Sequence, residues 1–127
     1  MDIYREDILD HYENPRNMGE LTDDLSASSG QVLEGRDSNA SCGDMIQFQL
    51  KIVEGKIDEV KWKGIGCAIS TAAASKLSEW LLGQTLKTLE KMDEEEIIEQ
   101  GVGLEVNPGR MKCLTLPVRV VRKIINQ

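Results

Sequence analysis

The sequence predicts an α+β fold, with helices packed on one face of a three-stranded antiparallel sheet. Three observations lead there. Between Met45 and Val53, Ile46, Phe48, Leu50 and Ile52 alternate with Gln47, Gln49 and Lys51, a period of two that buries one face and wets the other. Glu54-Gly55-Lys56 supplies a turn, and Ile57 to Lys63 reads as the returning strand with Val60 and Trp62 on its inner face. Beyond Cys67 the period becomes helical, with Ile69, Ala73, Leu77 and Leu81 at four-residue spacing. Strands followed by a run of helices is the α+β pattern.

The elements follow in order. Tyr4, Ile8 and Tyr12 recur every fourth residue with Leu9 beside them, which predicts a helix over Ile3 to Glu13. Asn14-Pro15 ends it, because a residue before proline avoids the α region. Leu21 to Gly30, rich in Asp and Ser, reads as a surface loop, and Gln31 to Ser38 as the weakest of the three strands. The Ala-rich helix over Cys67 to Leu82 stops at Gly83. Two short helices follow, Thr85 to Met92 and Asp93 to Gln100. The second opens on a capping box of Asp93 and Glu96, has an acidic first turn in Glu94-Glu95-Glu96, and closes at Gly101. The last helix carries Leu116, Val120 and Ile124 on one stripe. Pro117 fits only its first turn, where a missing N–H costs little, so this helix is expected to start just after Cys113.

Length and composition narrow the function. The 127 residues suit one domain, residues 1–127, with 40% hydrophobic content and no need of disulfide staples. Fifteen basic against 22 acidic residues leave a net charge of −7, which argues against a nucleic-acid binder. No apolar run is long enough to span a membrane, and the charged stretch Met1 to Asp7 lacks the apolar core of a signal peptide. A cytoplasmic, reducing setting is therefore expected, in which three cysteines stay as thiols. The lone His11 reads as structural, and Trp62 and Trp80 as core or interface.

Each cysteine sits at a break in regular structure. Cys42 lies in the turn Ser41-Cys42-Gly43-Asp44, Cys67 where a strand gives way to a helix, and Cys113 at the mouth of the last helix. A helix N-terminus favours a thiolate, so Cys67 and Cys113 are expected to have lowered pKa values, with Arg110 and Lys112 adding to the effect at Cys113. Gly43 lets Asp44 turn toward the same point as Cys42. Cys42, Asp44, Cys67 and Cys113 would then make a four-ligand site, suited by its thiolates to Zn²⁺ or to an iron–sulfur core such as [2Fe–2S]. The carboxylate is the poorer ligand, as befits a site that must release what it holds. The spacing itself matches no zinc-finger pattern, and unpaired cysteines are also common as small buried hydrophobes. Residue context alone leaves both readings open.

Four stretches, in order, resemble the iron–sulfur cluster assembly scaffolds of the NifU N-terminal/IscU/SufU family. They are Ile8-Leu9-Asp10-His11-Tyr12-Glu13-Asn14-Pro15-Arg16-Asn17, Ser41-Cys42-Gly43-Asp44, Gly66-Cys67-Ala68-Ile69-Ser70 and Arg110-Met111-Lys112-Cys113. The resemblance covers nearly the whole chain. It implies a three-stranded sheet with helices packed on it, and convergence of Cys42, Asp44, Cys67 and Cys113 at one exposed end. It also implies sulfur received from a cysteine desulfurase, a transient [2Fe–2S] cluster handed to recipient apo iron–sulfur proteins, and Zn²⁺ as another occupant of the same ligands.

Two departures mark the chain. Lys112 stands where IscU-type members have a histidine, and Glu105-Val106-Asn107-Pro108-Gly109 replaces their Leu-Pro-Pro-Val-Lys stretch, so an Hsp70-type chaperone partner is not expected. Arg110-x-x-Cys113 is SufU-like, but the segment from Ala68 to Lys112 is short, as in IscU. The first reading is a scaffold rather than an enzyme, with Cys113 (basic neighbours Arg110 and Lys112) or Cys42 (a Gly-flanked turn) accepting the persulfide. The alternative is a zinc-dependent sulfur acceptor, or sulfurtransferase, of SufU type.

Overall fold

The computed structural model describes residues 3–21, 30–39 and 43–126. The loop expected over Leu21 to Gly30 therefore lies almost wholly outside the described residues, as does Cys42.

Three strands form one antiparallel sheet in the order β1 (Gln31–Asn39), β2 (Asp44–Val53), β3 (Lys56–Ile65). β1 pairs with β2 along its whole length, from Gln31 opposite Ile52 to Asn39 opposite Asp44. β2 meets β3 from Met45 opposite Ile65 to Val53 opposite Lys56. The outer edge of β3 is covered where the Trp62 N–H donates to the Asn17 carbonyl at 3.1 Å and the Gly19 N–H to the Trp62 carbonyl at 2.8 Å.

The helices are α1 (Ile3–Glu13), α2 (Ala68–Leu81), α3 (Leu86–Glu90), α4 (Glu94–Ile97) and α5 (Met111–Ile125). α5 lies across β1 and β2, α2 lies across β3, and the two helices touch each other. Between them and the sheet sits the core: Ile46, Phe48, Leu50, Ile57, Val60 and Trp62 face Ala72, Ala73, Leu77, Leu81, Leu114, Val118 and Val121, all nearly or wholly buried. Phe48 and Trp62 stack with ring centroids 6.4 Å apart. Three consecutive alanines, Ala72 to Ala74, let α2 settle close on its neighbours. Burying each larger side chain contributes about 1.5–3 kcal/mol.

The α+β architecture agrees with the periodicity, but four details differ. α1 packs Ile8 of the predicted stripe against the core but buries His11 more fully, while Leu9 and Tyr12 stay about half exposed. His11 Nδ1 lies 2.7 Å from Ser75 Oγ on α2, and Lys76 of α2 pairs with Asp7, so polar contacts dock this helix. The outer sheet face is not uniformly wet: Lys51 is buried beneath the chain at Gly30, its ammonium 3.9 Å from Asp58. α4 keeps the predicted capping box but runs into a π turn, Ile98–Val102, and ends at Gly103 in the left-handed region rather than at Gly101. α5 begins at Met111, not after Cys113, after a single 3₁₀ turn over Pro108–Arg110. Pro117 is thus inside the helix, in its second turn, and removes the N–H that the Cys113 carbonyl would accept. Eight of the fifteen residues of α5, Pro117 among them, are buried, and this packing holds the helix through the missing bond.

Candidate metal centre

Three predicted ligands meet where the sheet ends. Asp44 is the first residue of β2, Cys67 is the N-cap of α2 directly after β3, and Cys113 is in the first turn of α5. One ligand atom from each lies within 4.8 Å of the other two. Two thiolates bound at about 2.3 Å to a tetrahedral zinc stand roughly 3.8 Å apart, so the group is already near coordination spacing. Cys67 Sγ donates to Asp44 Oδ2 at 3.8 Å. Asp44 and Cys113 are buried and Cys67 is half-buried. Gly43, directly before Asp44, has φ +75°, a conformation that favours glycine.

The junction between β3 and α2 depends on Gly66. A Cβ there would lie 2.3 Å from Ser70 Oγ and 3.3 Å from Asp44 Oδ1, so only glycine lets this backbone pass beside the carboxylate. Ser70 is fully buried, donates to the Cys67 carbonyl at 3.1 Å and sits 3.7 Å from Cys67 Sγ. Neither Gly66 nor Ser70 is among the site residues that the sequence predicts. The available signal was a glycine immediately before an N-cap residue and a serine three places after it.

The electrostatics of Cys113 run against the sequence expectation. Its pKa is not lowered but pushed up to about 12, first by burial, then by the hydrogen bond and charge of Cys67 and by the carboxylate of Asp44. Burial in low dielectric outweighs the partial positive charge of the helix end. Arg110 and Lys112 do not reverse this, because both are exposed to solvent. Two sulfur ligands and a carboxylate, two of the three buried and all mutually repulsive once ionised, form a donor set that a soft or borderline cation would satisfy.

Comparison with known proteins bears directly on this constellation. The family model of the NifU-like N terminal domain matches residues 3–127. The chain belongs to the NifU-like N-terminal domain family. It is 32% identical over 123 residues to the iron–sulfur cluster assembly scaffold protein IscU of Azotobacter vinelandii, covering 96% of this chain and 91% of that protein. IscU of Escherichia coli K12 is 32% identical over 124 residues, with 96% and 91% covered. Among solved structures, a candidate iron–sulfur cluster assembly scaffold protein for the SUF system from Fervidobacterium islandicum AW-1 superposes with a TM-score of 0.66 at 27% identity, covering 94% of each chain. A NifU-like N-terminal structure from Brucella abortus, at 18% identity, shares the fold with a TM-score of 0.71 over 98% of this chain and 92% of that one. In this NifU-like chain, no helix among the described residues is long and apolar enough to cross a membrane.

Proposed function

We propose that this protein is a scaffold on which an iron–sulfur cluster is assembled and from which it is passed on. The observation that carries the reading is the convergence of Asp44, Cys67 and Cys113 in a chain that matches IscU scaffolds along almost its whole length. In this reading Cys42, Cys67 and Cys113 hold a [2Fe–2S] cluster and Asp44 is the labile fourth ligand, since carboxylate is the harder and poorer partner for cluster iron. Sulfur arrives from a cysteine desulfurase. The thiolate of Cys113 or Cys42 attacks the terminal sulfur of the enzyme's persulfide, the old S–S bond breaks, and the desulfurase thiolate leaves as the new persulfide forms. An external electron donor then reduces each sulfane sulfur by two electrons to sulfide. Arg110 and Lys112, exposed beside Cys113, supply charge for the incoming persulfide. The finished cluster goes to apo iron–sulfur proteins of the cytoplasm.

Anaerobic incubation with a cysteine desulfurase, cysteine, a thiol reductant and ferrous iron should give visible cluster absorbance, which Cys67→Ser and Cys113→Ser abolish. A colourless wild-type protein beside a competent desulfurase overturns the reading. A second reading, a zinc-dependent sulfur acceptor, is favoured by Arg110-x-x-Cys113 and the likeness to the SUF-system structure. It predicts that zinc-loaded protein raises desulfurase turnover; no stimulation leaves the scaffold reading alone.

A further inference from the structure

Asp44 and Cys113 come from segments far apart in the chain, and among the described residues no backbone ladder joins the first turn of α5 to the start of β2. The buried side chain of Asn39 spans that gap. Asn39, the last residue of β1, is 6% exposed and stands directly across the sheet from Asp44. Its carbonyl accepts the N–H of Gly43, the residue before Asp44, at 2.8 Å. Its Nδ2 donates to the carbonyl of Lys112 at 3.0 Å, one residue before Cys113. Its Oδ1 accepts from Arg119 Nη2 at 2.6 Å.

The chemistry of the partners fixes the amide orientation. Arginine can only donate and a backbone carbonyl can only accept, so Oδ1 must face Arg119 and Nδ2 must face Lys112. Arg119 lies two turns further along α5 and is tethered beside Asp37 and Asn39 of β1. Asn39 is therefore clamped between two points of α5 while its carbonyl holds the N–H of Gly43, next to Asp44. A polar network of this kind specifies one arrangement, because each group in it leaves another unpaired if it moves.

We propose that Asn39 is a positioning residue of the metal-binding site, holding Cys113 in register with Asp44, and that Arg119 orients it. This rests on the reading of Asp44, Cys67 and Cys113 as metal ligands. Groups that orient ligands from behind typically change metal affinity by 10–100-fold when removed.

The test uses Co²⁺ titrated anaerobically into the full metal-free chain, read by the thiolate-to-cobalt charge-transfer band and the d–d bands. Circular dichroism first establishes that each variant is folded at the titration temperature. Asn39→Ala and the volume-conserving Asn39→Leu should each weaken Co²⁺ binding about tenfold or more and shift the d–d bands. Arg119→Met, which leaves the bond to Lys112 available, should fall between them and wild type. Arg122→Met, whose partner is Glu94 on α4, should bind as wild type does. A merely structural Asn39 would lower the urea midpoint and leave affinity and bands of the folded protein unchanged. That result overturns the proposal while the metal reading stands. A wild-type chain with no thiolate-to-cobalt band overturns both.

Discussion

Cys113 holds its proton at neutral pH because it is buried beside a second thiol and a carboxylate, which push its pKa up to about 12. Metals and sulfur transfer both need the thiolate, so the resting site is a protonated one that its cargo must deprotonate. The sign of the pH dependence follows. A raised pKa means that the metal-free form keeps the proton throughout the range from pH 6 to 8, and a bound dication releases it. Raising the pH by one unit should then tighten Zn²⁺ binding about tenfold for this proton alone. Competition against a chelator of known pH behaviour reads the slope, and calorimetry in two buffers of different ionisation enthalpy counts the protons. A flat affinity profile with no released proton would show that Cys113 is already ionised or does not bind. The same burial explains why sequence context misjudged this residue: a helix start and two basic neighbours are visible in the chain, whereas the covering layer is a tertiary fact.

At the scale of elements, the β3–α2 junction is the most exacting part of the site. Gly66→Ala would set a methyl group 2.3 Å from Ser70 Oγ and 3.3 Å from Asp44 Oδ1. Ser70 is wholly buried and bonded to the Cys67 carbonyl, so relief must come from the N-terminus of α2 or from the carboxylate. The expected cost is about 1–3 kcal/mol in urea unfolding, together with weaker metal binding because both neighbours of Cys67 shift. Unaltered affinity would mean that the junction yields elsewhere. The strands were legible because a period of two survives in a sheet with one covered face, as Ile46, Phe48, Leu50 and Ile52 show. Cys67 and Cys113 were legible as breaks between elements, and the structure brings these two together with Asp44. The start of α5 was not. A proline normally marks a first turn, but here packing against β1, β2 and α2 sustains the helix across the bond that Pro117 removes. The docking face of α1 was legible only at Ile8, since His11 and Asp7 pair with Ser75 and Lys76, which hydrophobic periodicity does not register.

Across the whole molecule, the candidate ligands tie together the start of the central strand, the head of α2 and the head of α5, the two helices that cover the sheet. An ion held by all three would cross-link the layers of the fold, and it has no such site in the unfolded chain. Binding should therefore appear as stability. With free Zn²⁺ at about 100 times its dissociation constant, linkage adds about 2.7 kcal/mol, a rise in Tm on the order of 10 °C for a chain of this size. Cys113→Ser and Asp44→Ala should lose most of this rise, because each uncouples one layer, while their metal-free melting temperatures stay close to that of the metal-free wild type. Cys113→Ser in particular exchanges one buried neutral group for another of nearly the same shape. Differential scanning calorimetry with and without Zn²⁺, at a pH where Cys113 is protonated in the free protein, separates the outcomes. If the wild type melts at one temperature in both conditions, the three residues share a neighbourhood but not an ion. If it shifts while Cys113→Ser shifts equally, the ion sits elsewhere on this acidic surface. A shift confined to chains with all three ligands intact makes the release of cargo a loosening of the fold as well as of a bond.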